Sequence, residues 1–328
     1  MTVFAGNNSH HLMKHAASII LAFISQMISD VFFILSQEGN VPNALFQNSA
    51  RNVSNTFYLE VTMDWWSDNC WIVIDLWSKA WLVYAAVSLY RRNALGPESC
   101  NPEIHPPIFH LIWTVTNVLR MSSMYMWDKH YIVGAVLLRW FLPVYSFYML
   151  YMSYSSLSKH KAWLAINNPN VISWTRYLTQ NGLAVFAWWS LFNASVGLGV
   201  ALKYNSGVPD PVVSTVVLSI LSICIAMWFI LQILLLPMFM GHTFSIYGIL
   251  ILGLGAMFTN SYRVRDFSIN TAVCGVLMVL ITVMSFIHLI TSCLKTERKP
   301  LAEPALKFNF DLQTVCQLEV NNKHKLPN

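Results

Sequence analysis

The sequence predicts an all-α, polytopic transmembrane helix bundle of about eight spans, with both termini in the cytoplasm. Three observations lead there. Apolar residues make up 55% of the 328-residue chain and charged residues only 11%, against about 25% charge in soluble domains. The apolar residues fall in runs close to the ~20 residues that cross a hydrocarbon core. Lys and Arg are unequally shared between alternate loops. The net charge of +5 is small and sits at helix ends and toward the C-terminus. Membrane lipid is therefore the expected partner, and nucleic acid is not.

The expected spans are His15–Ser36, Trp71–Tyr90, Ile108–Trp127, Ile132–Leu157, Tyr177–Leu202, Val212–Leu236, Gly241–Asn260 and Asn270–Cys293. A cytoplasmic segment 1–14 precedes the bundle of residues 15–293, a long outer loop 37–70 joins the first two spans, and a polar tail 294–328 follows. Only Pro237 to Met240 separate the sixth span from the seventh. The first span reads alternatively as a signal peptide, which would leave seven helices. No small-x-small cleavage site follows it, so it is kept as a helix.

With the N-terminus inside, the cytoplasmic segments hold Lys14, Arg91, Arg92, Lys159, Lys161, Arg176 and six tail residues, twelve in all. The outer loops hold five: Arg51, Lys129, Lys203, Arg263 and Arg265. This excess of inner cations sets the orientation. The sequon at Asn52 (Asn52-Val53-Ser54) then lies in the outer loop as a glycosylation site, or goes unused. Asn7-Asn8-Ser9 would be cytoplasmic and Asn193-Ala194-Ser195 intramembrane, so neither is an expected acceptor. A plasma membrane or endomembrane location suits this topology.

The six cysteines show no disulfide framework and no zinc-type spacing, so no metal is expected. Cys224 and Cys274 read as small buried hydrophobes. Cys293 beside Lys295 is a candidate palmitoylation site.

Charges inside the spans are the strongest chemical signal. Asp30, Asp75, Lys79, Arg120 and Arg139 all fall about 6–12 Å below the outer boundary at 1.5 Å per residue. A charge at the bilayer centre is disfavoured by roughly 3 kcal/mol on insertion scales, so such groups pair or line wet cavities. Two readings follow. In the structural one, Asp75 neutralises Lys79 one turn away, Asp30 pairs with Arg120, and Arg139 extends toward the outer headgroups. In the functional one, the five line an outward-open pocket with one net positive charge, suited to an amphipathic anion.

Weaker hints accompany them. Trp113, Asn117 and Arg120 share a helix face. Gln180 and Asn181 form an amide pair that either bonds a neighbouring helix or binds a ligand head. Pro143 and Pro237 should bend or end helices. Gly197, Gly199, Gly253, Gly255 and Gly275 permit close packing.

Tryptophans Trp66, Trp71, Trp77 and Trp81 introduce and fill the second span. "NVLRMSSMYMWD" ends the third, "QNGLAVFAWW" lies in the fifth and "STVVLSILSICIAMWF" in the sixth. This succession, from about Asn52 to Tyr262, resembles an animal branch of tryptophan-rich multi-pass proteins related to the TspO/translocator (peripheral benzodiazepine receptor-like) family. The resemblance implies a helical membrane protein that binds tetrapyrrole- or sterol-like molecules, with ligand contacts at Trp66, Trp71, Trp77, Asn117 and Trp188. The chain departs from that pattern at its charges: Asp75 stands for an aromatic, Lys79 for an apolar residue and Arg120 for an amide. Met63 and Asp64 stand where the pattern opens the second span with glycine and proline.

The expected function is binding of a small amphipathic or hydrophobic ligand, as sensor or carrier. The alternative is a secondary transporter or channel using the charged layer, although no inverted repeat is visible. No H-E-x-x-H, G-x-S-x-G or cysteine–histidine constellation points to an enzyme or a cofactor.

Overall fold

A computed structural model describes residues 2–37, 45–93, 96–265 and 268–297. Among the described residues the chain is all-α apart from one two-stranded hairpin, Arg92–Asn93 (β1) with Gly96–Pro97 (β2). The helices are α1 Thr2–Gln37, α2 Ala50–Thr56, α3 Asn69–Tyr90, α4 Pro107–Asp128, α5 Ile132–Asn167, α6 Pro169–Trp174, α7 Asn181–Ser206, α8 Asp210–Ile230, α9 Pro237–Met240, α10 Ser245–Arg265 and α11 Ile269–Glu297. π-helical turns at Thr175–Gln180 and Leu231–Leu235 join α6 to α7 and extend α8. Residues through Thr282 form one compact unit; a second starts at Val283 and contains the last turns of α11.

Among the described residues, seven helical stretches are long and apolar enough to cross a membrane: His10–Gln37, Trp65–Tyr90, Ile132–Asn167, Pro169–Ser206, Asp210–Leu235, Ser245–Arg263 and Ile269–Thr291. The chain is therefore an integral membrane protein by composition and helix length. α4, the third of the eight expected spans, is not among them. α4 has 22 residues, enough to span, but buries His110, Asn117 and Arg120 and so lacks the apolarity of the others. Its main partners are α1 and α5, so protein rather than lipid covers its polar face.

Several expected boundaries also shift. α1 is already helical at Thr2, and α11 runs to Glu297, past the expected end at Cys293. The outer loop 37–70 holds α2 and a 3-10 turn, Trp65–Asp68. Pro143 does not end α5, which continues to Asn167, whereas Pro237 opens α9 at its first turn. Residues 298–328, most of the expected tail, lie outside the described residues, as does the Cys293 side chain.

α7 is the most enclosed of the long helices, packed by α5, α10, α8 and α3. Lipid is as apolar as a leucine, so helices in a membrane associate through close packing and polar bonds. Both are visible here. A Cβ at Gly253 would meet the Phe192 ring at 2.7 Å, so α10 approaches α7 only through glycine. Asn181 accepts from the Ser245 amide (3.1 Å) and hydroxyl (2.8 Å) and donates to the Arg176 and His242 carbonyls (2.8 and 3.0 Å). The amide pair thus ties helices together, and Gln180 likewise donates to Ser153 Oγ at 3.3 Å.

The outer loop is pinned by buried acids. Asp128 accepts from the Gln47 and Asn48 amides at 2.9 and 2.7 Å. Asp64 holds Arg263 through two bonds of 3.0 and 2.8 Å. Glu60, 2% exposed, accepts from Ser268 and, at 3.0 Å, from Asn270.

Candidate functional site

Four of the five intramembrane charges meet in one network, with pairings crossed relative to the sequence expectation. Asp75 does not neutralise Lys79. It receives Arg120 in a two-pronged bond, Nη1 to Oδ1 at 2.6 Å and Nη2 to Oδ2 at 2.9 Å. Lys79 instead reaches Asp30 on α1 at 2.9 Å. Gln26, unforeseen in the sequence, bridges the pairs by donating to Asp30 (2.8 Å) and Asp75 (3.2 Å). The reason is geometric. Arginine's planar fork matches a carboxylate placed opposite it on another helix, and Asp75 faces α4 and α1 rather than lying along its own helix. Arg120 and Asp75 are 1% and 4% exposed, whereas Lys79 keeps 31% of its side chain accessible.

Aromatic residues wall this network. The Arg120 guanidinium lies 4.2 Å from the Trp71 ring centroid and 5.6 Å from that of Phe33. Trp71 meets Phe186 edge-on, and Phe186 meets Trp113. Asn117 donates to Ser25 Oγ at 3.2 Å. Trp77 packs on Gly182 and donates its indole N–H to the Leu178 carbonyl at 3.0 Å. A Cβ at Gly182 would lie 2.8 Å from that ring. Trp66 sits apart in the 3-10 turn, 3.4 Å from Thr259 Oγ1.

Arg139 does not join the network. Its guanidinium stacks 4.0 Å from the Trp127 ring centroid. It lines a polar cleft of about 230 Å³ on the outer-loop side, with Asp64, Asn193, Asn260 and Arg263. The five charges therefore resolve into two neutral pairs and one separate cation, not a single positive pocket.

A cavity of about 640 Å³ is an apolar groove between α5, α7, α8 and α9. None of the four network charges lines it. Of the expected ligand contacts, Trp188 does. Phe147, Trp188 and Trp228 form a three-ring floor with centroids 5.9–6.0 Å apart. Trp140, Phe239 and Met240 add further apolar wall. Val144, Tyr151 and Met227 line the groove and are more than half exposed, so it opens on the lipid-facing surface.

Two polar details position the groove. Gln232, fully buried, accepts from Trp228 Nε1 (2.9 Å) and Tyr247 OH (3.0 Å) and donates to the Met240 and Thr243 carbonyls (3.1 and 2.9 Å). It thereby fixes the Trp228 ring and the short α9. Trp188 Nε1 is buried and finds no acceptor in the protein. A buried donor left unpaired costs about 1–3 kcal/mol. Sequence reasoning missed Trp140, Phe147, Trp228 and Gln232. Their one available signal was apolar side chains flanking Pro143 and Pro237, which periodicity alone reads as packing.

A smaller cavity, about 40 Å³, lies toward the N-terminal end of α1, beside His15, Trp81, Glu98 and His110. His105, also on its wall, shares a hydrogen bond with Ser153 Oγ at 3.0 Å. Loss of hydration, with His15 nearby, pushes its pKa down to about 4.

No family model, curated protein or solved structure matches this chain.

Proposed function

We propose that this is a multi-pass membrane protein that binds a small hydrophobic or amphipathic molecule, as sensor or carrier rather than enzyme. The observation carrying the reading is the groove of about 640 Å³ floored by Phe147, Trp188 and Trp228. Small-molecule sites are typically about 300–1,000 Å³, mostly apolar, with few polar groups. The groove is lined almost wholly by aromatic and aliphatic side chains, together with Tyr151, Tyr154 and Ser155, which suits a flat, largely apolar molecule whose polar groups stay at the open edge. A tetrapyrrole or sterol answers that description. The relation to the TspO/translocator family is part of the same proposal and rests on the tryptophan motifs. Of the five contacts that resemblance implies, Trp188 alone lies in the groove.

The topology proposed has eight spans. α3 and α5 flank α4 in sequence, and only Lys129 to Tyr131 connect α4 to α5. In this reading α4 recrosses the bilayer, its polarity covered by α1 and α5. The excess of inner cations keeps both termini cytoplasmic and Asn52 outside, in a plasma membrane or endomembrane.

Quenching of tryptophan fluorescence during titration with a porphyrin and with a sterol tests the binding reading. Saturable quenching by either, weakened in Trp228→Ala, is expected. Quenching that is linear in both, or identical in the variant, counts against it. A transport reading rests on a different observation, the Arg139 cleft on the outer-loop side. Anion flux into proteoliposomes that disappears in Arg139→Gln would favour it.

A further inference from the structure

At the end of the bundle opposite the outer loop, two segments far apart in sequence bring together the ligand types of a transition-metal site. His11 and His15 stand one turn apart on α1, ring centroids 5.0 Å from each other. Cys100 comes from the segment between α3 and α4. One ligating atom from each of these three residues lies within 4.8 Å of the others. Glu103 is outside that three-residue spacing but flanks both histidines, with Oε1 2.9 Å from His15 Nε2 and 3.7 Å from His11 Nε2.

Tetrahedral coordination with metal–nitrogen and metal–oxygen bonds of about 2.0–2.2 Å sets such atoms roughly 3.3–3.6 Å apart. The Glu103–histidine spacings bracket that value. The wider spacing within the three-residue cluster closes by side-chain rotation, for which His11 (45% exposed) and the half-buried Cys100 have room. The loop is already held in place. Glu98 N donates to Arg91 O at 2.9 Å, Cys100 N to Pro97 O at 3.1 Å, and Ser156 Oγ to Glu103 O at 3.0 Å. An ordinary histidine–glutamate hydrogen bond would need neither the second imidazole nor a thiol at this distance.

We propose that His11, His15, Cys100 and Glu103 bind one divalent ion of the zinc class, fastening the start of α1 to the α3–α4 loop. Imidazole and thiolate select zinc over the hard cations magnesium and calcium. Cys100 binds as the thiolate, its proton passing to solvent. The ligand spacing along the chain, His-x-x-x-His followed far downstream by Cys-x-x-Glu, matches no common finger, so the sequence alone read as metal-free.

The test uses the full-length protein, freed of any affinity tag, stripped with a chelator and titrated with Co²⁺, then Zn²⁺. One Co²⁺ per chain is expected, with tetrahedral d–d absorption and a thiolate-to-cobalt charge-transfer band, both bleached by one equivalent of Zn²⁺. Cys100→Ser should abolish the charge-transfer band, and Cys100→Ser and His11→Ala should each weaken binding by at least about tenfold. Both side chains are partly exposed, so elution on size exclusion should be unchanged. Absence of the thiolate band in the wild type, or Co²⁺ binding in both variants equal to the wild type, overturns the proposal.

Discussion

Arg120 meets Asp75 through two parallel hydrogen bonds of 2.6 and 2.9 Å, joining α4 to α3 where both side chains are almost wholly buried. Removing one partner of such a pair leaves a buried charge uncompensated, at a cost of about 3–5 kcal/mol, whereas replacing both with apolar groups is often neutral. Arg120→Met should therefore lose most of its detergent-stable monodispersity on mild heating. Asp75→Leu combined with Arg120→Met should recover most of it. An Arg120→Met protein as heat-resistant as the wild type would show that the pair carries no weight.

The crossed pairing makes a second comparison decisive. Asp75→Tyr with Lys79→Leu would be a stable double variant if those two residues neutralised each other. Here it strands Arg120 and Asp30 together. It should be less stable than either single change, as read by size-exclusion survival after heating. A double variant more stable than both singles would restore the simple one-helix pairing.

These pairs mark how far the sequence can be read. That Asp30, Asp75, Lys79 and Arg120 meet at one level was legible because a fixed rise per residue converts position into height. Their partners were not, because pairing depends on how each helix is rotated, and Gln26 carries no charge to flag it. Arg139 was expected at the same level but faces α7 and Trp127, a direction that height does not report. α4 was found as a helix by its length, yet the residues that make it an interior helix remove it from a hydropathy count. Trp188 emerged from motif order, while the rest of its groove is set by the π-helical turn after α8 and by Pro237. The histidine–cysteine cluster was invisible because its members come from opposite sides of α3.

Arg139 should behave unlike Arg120. Its main described contact is the Trp127 ring at 4.0 Å, and such contacts are worth about 0.5–2 kcal/mol. Arg139→Met should cost clearly less stability than Arg120→Met in the same heating assay. Equal losses would mean that Arg139 has a structural partner as strong as Asp75.

Gly182 tests the packing of α3 on α7. A methyl group there would lie 2.8 Å from Trp77, and overpacking of this kind typically costs about 1–3 kcal/mol. Gly182→Ala should be destabilising alone but nearly neutral in a Trp77→Leu background, since residues in contact are non-additive. Strict additivity in a double-mutant cycle would argue against the contact.

Topology is checked at Asn52, which is exposed just inside α2. Expression with glycosylation-competent microsomes should add one glycan, removed by Asn52→Gln. The Asn193 sequon should stay unmodified, because Ser195 is fully buried. An N-terminal epitope reachable on unpermeabilised cells would reverse the orientation.

The groove is tested most directly by what the protein carries with it. Cys224 lines the groove from α8, and Cys224→Trp would fill part of it without touching the charge network. Wild type and variant, purified in parallel and matched for monodispersity, would be extracted into organic solvent and compared by mass spectrometry. The predicted result is a hydrophobic or amphipathic species enriched near one per chain in the wild type and depleted in Cys224→Trp. No enriched species in the wild type, or equal amounts in both proteins, would contradict ligand binding at this site.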